Sequence, residues 1–377
     1  MKLLRGLMDK LRPTFEDGML KPFAPAYDAI DSFLFRVGTK TDIAPHLRGP
    51  NNVKRYMTAV ILAVMPVIAA AIYFFGWQIV GQIVVTYVAG LLIELAFAMA
   101  RKEEINEGFF VTGLLYPLIL PPGMPFHWTA IGIAFGVLVG KELFGGTGRN
   151  VFNPALVARC FLLIAYPGLW TMGDKGFWSV PQGGIPGGFA TWASDAVSQA
   201  TPLTAAGAKE PVYVSIWNLF LGTPSDGGVC GGCAGEVFPP LIILGGLFLI
   251  ITGAANWRTI VSTLGSFVVL LGVLAWSVPS EFGRAGWSPV EVVVWHLMAG
   301  GLLFGAVYMA TDPVSSPVSN LGKWLYGMII GSSVVLIRHL TGYPEGVMFA
   351  ILLGNLAAPV LDEIATKLYV RRLRYEG

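Results

Sequence analysis

The chain has 377 residues, of which 54 % are apolar and only 13 % charged, with a formal net charge of +2. So little charge excludes an ordinary water-soluble domain of this size, and the near-neutral balance gives no ground for a nucleic-acid partner. A lipid bilayer is the expected solvent.

Taken in chain order, the first 15 to 30 residues, opening "MKLLRGLMDKLRPTFEDG", are basic but have no apolar core leading to a small-residue cleavage site, so no cleavable signal peptide is read there. A spanning helix needs about 20 apolar residues. Stretches approaching that length follow at 57–77, 79–99, 109–121, 126–143, 151–166, 238–256, 259–277, 292–310, 324–340 and 346–361. They predict an all-α polytopic membrane protein with about ten transmembrane helices. Lys and Arg gather before residue 57, at Arg101, Lys102, Lys141, Arg149, Arg258 and Lys323, and in "KLYVRRLR". Only Lys175, Lys209, Arg284 and Arg338 fall on the other side of such a topology. That asymmetry predicts cytoplasmic termini. The expected organisation is a cytoplasmic segment 1–56, a first bundle half 57–166, an extracytoplasmic segment 167–237, a second half 238–361 and a basic tail 362–377.

Several features carry chemistry. Glu94 lies inside the second stretch, where a carboxylate is either an ion- or proton-handling group or one half of a salt bridge, with Arg159 or another helix. The prolines of "YPLILPPGMP" stop a helix too short to cross alone, which either lines a site or forms a plain re-entrant hairpin. In "GKELFGGTGRNVFNPALVAR", Asn150 and Asn153 stand three apart where a helix begins. They are either the caps of two abutting helices or a pair of amides suited to a polar heterocycle. No Gly-Lys-Ser/Thr follows, so this is not a phosphate loop. "DAVSQATPL" reads on its own as a capped turn before a short helix. Cys160 is expected to be inert, and Cys230 and Cys233 form a lone Cys-x-x-Cys that favours a local disulfide over a metal. "PEGVMFAILL" echoes "NEGFFVTGLL", which hints at two inverted five-helix repeats.

"RKEEINEGFFVTGLLYPLILPPGMP", "KELFGGTGRNVFNPAL", "DAVSQAT", "MATDPVS", "GKWLYGMIIG" and "YPEGVMFAILLGNLAAPVLD" together resemble the B subunits of Na⁺-translocating NADH:quinone reductases, and more distantly the D subunits of Rnf complexes. The likeness runs from about residue 20 to the end. It implies that a separate flavin transferase esterifies FMN to Thr201, with Asp195, Ser198 and Ala200 as recognition positions; Gln199 departs from the small residue usual there. It also implies riboflavin at Asn150 and Asn153, quinone near Gly90, Glu107, Gly108, Phe109 and Phe110, and sodium coupling at Glu94 and Asp362. The Cys-x-x-Cys is a second departure from that pattern.

The expected function is therefore a membrane subunit of a respiratory Na⁺ pump in a bacterial inner membrane. It would relay electrons from covalent FMN through riboflavin to quinone, together with the A, C, D, E and F subunits of such a pump. Two alternatives stand beside it: an Rnf-type ferredoxin:NAD⁺ oxidoreductase component, and a ten-helix ion or solute transporter without redox chemistry.

Overall fold

The computed structural model describes Pro13 and residues 53–101, 108–146, 148–170, 179–181, 188–192, 196–198, 201–207, 214–222, 232–277, 287–341 and 345–376. The first helices are α1 (Val53–Phe75), α2 (Gln78–Arg101), α3 (Gly108–Leu118), α4 (Phe126–Gly140) and α5 (Pro154–Ala165). Two three-residue strands follow, β1 (Ser179–Pro181) and β2 (Ala196–Ser198), antiparallel with Val180 opposite Val197. Then come α6 (Pro202–Gly207), α7 (Ile216–Leu221), α8 (Pro239–Ile251), α9 (Trp257–Ser277), α10 (Pro289–Met298), α11 (Leu302–Met309), α12 (Asn320–Leu340) and α13 (Val347–Glu376).

The long helices are inside-out by the standards of a water-soluble protein. On α2 the buried stripe includes Gln82, Thr86, Gly90 and Glu94, a spacing of four that keeps polar groups on one face. The opposite face shows Val84, Val88 and Leu92, which are 53–59 % exposed. α9 repeats the pattern, with Thr259, Ser262 and Thr263 buried and Val261, Val269 and Val273 exposed. Apolar surface of this extent, wrapped around polar contacts, is the signature of a lipid-facing bundle. Between α9 and α12 the approach is close because α12 offers glycines. A Cβ at Gly327 would meet Ser262, and one at Gly331 would meet Ser266 and Thr263. The Ser262 hydroxyl donates to the Trp324 carbonyl at 2.5 Å across this small-residue seam.

The short helices end where the chain supplies other partners for their backbone. α3 stops after Pro117, and its orphan carbonyls are taken by a neighbouring loop: Gly235 N–H donates to the Leu118 carbonyl at 2.7 Å and Ala234 N–H to that of Leu120 at 3.3 Å. The Pro121–Pro122 turn that follows is held by one buried amide. Gln82 Nε2 donates to the carbonyls of Pro121, Pro122 and Met124 at 3.3, 3.0 and 3.1 Å. Irregular backbone is tolerated at membrane depth only when it is satisfied in this way. α10 and α11 are bent by 65° at Ala299–Gly300–Gly301, where Gly300 takes a left-handed φ of +71°.

These breaks correct the expected architecture. Among the described residues only α1, α2, α9, α12 and α13 are long and apolar enough to cross a bilayer, or six spans if the bent pair α10–α11 counts as one. Ten spans in two inverted five-helix repeats is not what the described residues show. The apolar stretches do become helices, but α3, α5 and α8 have 11, 12 and 13 residues. At 1.5 Å per residue these reach roughly 16–20 Å, well short of a hydrocarbon core. The sequence echo also lands on unlike elements, the 11-residue α3 and the 30-residue α13.

Two ends of the molecule can be distinguished along α1. At its start, the Tyr56 hydroxyl donates to the Thr311 carbonyl at 3.0 Å. At its end, Gly76 and Trp77 pack on Thr191 and Trp192, and Phe74 lies against Gly222. A satellite core of Leu203, Val214, Leu219, Trp295 and Ala299 lies apart from the main one and seats α6 and α7 against α10.

Candidate functional site

At the Tyr56 end, a cavity with about 700 Å³ of space free of protein atoms, part of it open to solvent, is lined by Tyr56, Gly108, Lys141, Asn150, Asn153, Tyr308, Thr311 and Asp312 among others. The loop that brings the asparagines there turns through Gly145, Gly146 and Gly148, all with φ between +89° and +106°, a region open to glycine. Asn153 then caps α5: its side-chain carbonyl accepts from Ala155 N–H at 3.0 Å, ahead of Pro154 at the first helical position. Asn150 lies in the loop before α5, so the two do not share a helix face. Its Nδ2 donates to the Phe152 carbonyl at 3.0 Å. The capping reading thus holds for Asn153, and both amides still reach one cavity.

Lys141 joins this cavity to α2. Its ammonium forms a buried ion pair with Glu94, which settles Glu94's partner as Lys141 and not Arg159. Arg101 backs the same corner, with Nη1 at 2.9 Å from a Glu142 carboxylate oxygen and Nη2 donating to the Glu142 carbonyl at 2.5 Å. Lys141 Nζ also lies 5.9 Å from the centroid of the Phe109 ring. Phe109 is buried against Gly90, where a Cβ would run into its ring. Phe110 is half-buried, and its carbonyl accepts from the Tyr87 hydroxyl at 2.5 Å. Gly90, Glu94, Gly108, Phe109 and Phe110 therefore gather around Lys141, while Glu107 lies outside the described residues. Asp312 is tied by Ser315 N–H at 3.2 Å and its hydroxyl at 2.6 Å, yet burial raises its carboxyl above the usual range.

Asp362 is not part of this cavity's lining. It caps the start of α12, accepting from the N–H groups of Val318 and Ser319 at 2.8 and 2.9 Å and from the Ser319 hydroxyl at 2.5 Å.

Thr201 lies near the other end and is 3 % exposed. It borders a small cavity, with about 380 Å³ of space free of protein atoms, part of it open to solvent, together with Leu203, Leu219, Glu236, Met298 and Gly300. Ser198 is on β2; Asp195, Gln199 and Ala200 lie outside the described residues. Glu236 also borders an adjoining cavity with Arg159, Cys233 and Glu345. There Arg159 is ion-paired with Glu345, and Cys233 N–H donates to Glu236 Oε1 at 2.7 Å. Burial, then the negative Glu345, pushes the Glu236 carboxyl up to about 8. Cys233 carries a free thiol, which corrects the expected disulfide; Cys230 lies outside the described residues.

Tyr56, Asp312, Glu236, Glu345 and Arg338 were missed as site residues. The signal available for Asp312 and Glu345 was their place in "MATDPVS" and "YPEG"; Arg338 stood among the outward-side charges, whereas it is buried on α12.

The polar groups lining the Asn150 cavity are of the kind that would hold a flavin's edge. Two amides, a lysine and a carboxyl can meet the alternating carbonyl and N–H groups of an isoalloxazine edge, and Val60, Val111 and Leu115 supply apolar walls for its faces.

The model of the NQR2, RnfD, RnfE family matches residues 40–370. The B subunit of the Na(+)-translocating NADH-quinone reductase of Azotobacter vinelandii is 35 % identical over 98 % of both chains. Its counterpart in Ectopseudomonas mendocina is 34 % identical over 98 % of both, and that of Klebsiella pneumoniae 33 % identical over 99 % of this chain and all of its own. On this likeness, end to end, the chain belongs to the NQR2, RnfD, RnfE family.

Proposed function

We propose that the chain is a membrane subunit of a Na⁺-pumping NADH:quinone oxidoreductase, working as a flavin relay between two ends of its bundle. The observation that carries the relay is the placement of Thr201 and the Asn150–Asn153 pair in separate cavities toward opposite ends of α1. α1 crosses with 20 residues from Tyr56 to Phe75, roughly 30 Å at the helical rise.

At the first end Thr201 carries FMN as a phosphodiester. An activated flavin dinucleotide supplies the group: its P–O–P bond breaks as the Thr201 Oγ–P bond forms, AMP leaves, and the hydroxyl proton passes to the transferase or solvent. Thr201 is buried in the folded chain, so the transferase would need its hydroxyl exposed. At the other end Asn150 and Asn153 hold riboflavin by its polar edge, with Lys141 beside it. Flavins supply one- and two-electron chemistry, which suits a relay that ends on a quinone. Quinone is taken at the neighbouring Gly90, Gly108, Phe109 and half-buried Phe110, and Glu107, outside the described residues, is assigned to the same site by the resemblance alone. Glu94 and Asp362 serve sodium coupling. Glu94 does so beside its ion-pair partner Lys141, and Asp362 at the start of α12. The A, C, D, E and F subunits supply the nicotinamide and further redox centres. The setting is a bacterial inner membrane with both termini on the cytoplasmic side, so the Thr201 end faces out.

The test is the intact mass and in-gel flavin fluorescence of the chain made with a flavin transferase, for wild type and Thr201→Ala. A denaturation-resistant FMN adduct that disappears in the variant is the expected result. An unmodified wild-type chain beside an active transferase would overturn this reading.

A further inference from the structure

Gly300 lines the Thr201 cavity and Gly301 the adjoining one, and a charged side chain stands close to each. A Cβ at Gly300 would lie 3.0 Å from Arg338 Nη2 and 2.7 Å from the Leu203 methyl, two residues along from Thr201. A Cβ at Gly301 would lie 3.2 Å from Glu236 Oε2. Arg338 is 5 % exposed and is held from behind: Nη1 donates to the His296 carbonyl at 2.7 Å and Nη2 to that of Ala299 at 3.0 Å. Neither partner is an anion, and Nε has no hydrogen-bond partner among the described residues.

We propose that Arg338 is the counter-charge of the phosphodiester on Thr201, reaching it past Gly300, with Glu236, which lines the same cavity, as a hydrogen-bond donor to the phosphoryl group. This rests on the flavinylation reading above and adds the residues that hold the phosphate.

Charge arithmetic supports it. The carboxylate of Glu345 is already matched by Arg159 in the adjoining cavity. Burial raises the Glu236 carboxyl, and although Glu236 and Glu345 act on Arg338 from a distance, no carboxylate forms an ion pair with it among the described residues, while Glu236 Oε2 and Arg338 Nε are both left without a hydrogen-bond partner there. A buried cation calls for an anion, and a phosphodiester brings one negative charge. The wall at Gly300 is also built for approach, since any side chain at position 300 would collide with Leu203 and crowd the guanidinium. A positive φ there already favours glycine.

The experiment uses the whole chain made with a flavin transferase and its flavin dinucleotide donor. It measures the rate of FMN incorporation by intact mass for wild type, Arg338→Gln and Arg338→Lys. Loss of a charge-assisted contact predicts a drop of about tenfold or more in Arg338→Gln, with Arg338→Lys retaining most of the rate. Monodispersity in detergent and riboflavin content report folding. Incorporation at the wild-type rate in a folded Arg338→Gln overturns the proposal. If that variant does not fold, the ³¹P resonance of the flavinylated Arg338→Lys chain decides. A resonance shifted from wild type supports the contact, and an identical one overturns it. A wild-type chain that takes up no FMN overturns the underlying reading instead, so the two failures are distinguishable.

Discussion

The two ends of the molecule are built by different means. The Asn150–Asn153 cavity is walled by α1, α3, α5 and the loop after α11, and its polar side chains are fixed by a helix cap and buried ion pairs. The Thr201 cavity is assembled from two six-residue helices, a bent helix pair and loops, on a core of five buried residues. Under the proposed relay, the contrast matches what each end would hold. A site that retains its ligand by shape must be formed beforehand, because the cost of ordering it is subtracted from affinity. A tethered ligand keeps a high local concentration through its covalent bond, and its surroundings need only open for attachment and close afterwards.

The largest expected effect falls at the prebuilt end. Lys141→Met leaves Glu94 buried without its partner, a change worth about 3–5 kcal/mol. A thermal unfolding midpoint in detergent should fall by several degrees and recover in the Lys141→Met, Glu94→Gln double variant. An unchanged single variant would show that this corner is looser than its geometry. Next, Gln82→Leu strips three carbonyls of the Pro121–Pro122 turn of their donor and should cost about 1–3 kcal/mol by the same measurement.

At the Thr201 end the sharper probe is pH. The ordinary value for Glu236 is 4.5, and the folded chain raises it to about 8. Within that window the folded state holds a proton that the unfolded state releases. The contribution of Glu236 is therefore whole below about 4.5 and drains away as pH rises through about 8. Unfolding midpoints from about pH 5 to about pH 8.5 should decline, with a shallower slope in Glu236→Gln. The smallest effect belongs to Asp362→Ala, which removes a cap on α12 and should cost about 1 kcal/mol without changing riboflavin content.

The sequence made some of this legible. Apolar runs located the helices because lipid selects them by composition, but the length of a run is not the length of an uninterrupted helix. Pro117, Pro121 and Pro122 break one run and Gly300–Gly301 another, so the number of crossing helices was overstated. Asn153 was readable as a cap because proline follows it. The partner of Glu94 was not, since Lys141 stands 47 residues away at the far end of another helix. Glu236 and Arg338 carried no local signal, because their meaning arises only where the α10–α11 bend brings two glycines between them.

The most direct measurement counts the two flavins separately in one sample: FMN retained on a denaturing gel and riboflavin released on denaturation, for wild type, Thr201→Ala and Asn153→Ala. Two independent sites predict that Thr201→Ala loses only the retained flavin and Asn153→Ala only the released one. Joint loss of both in either folded variant, or loss of neither, would contradict the relay between separate ends.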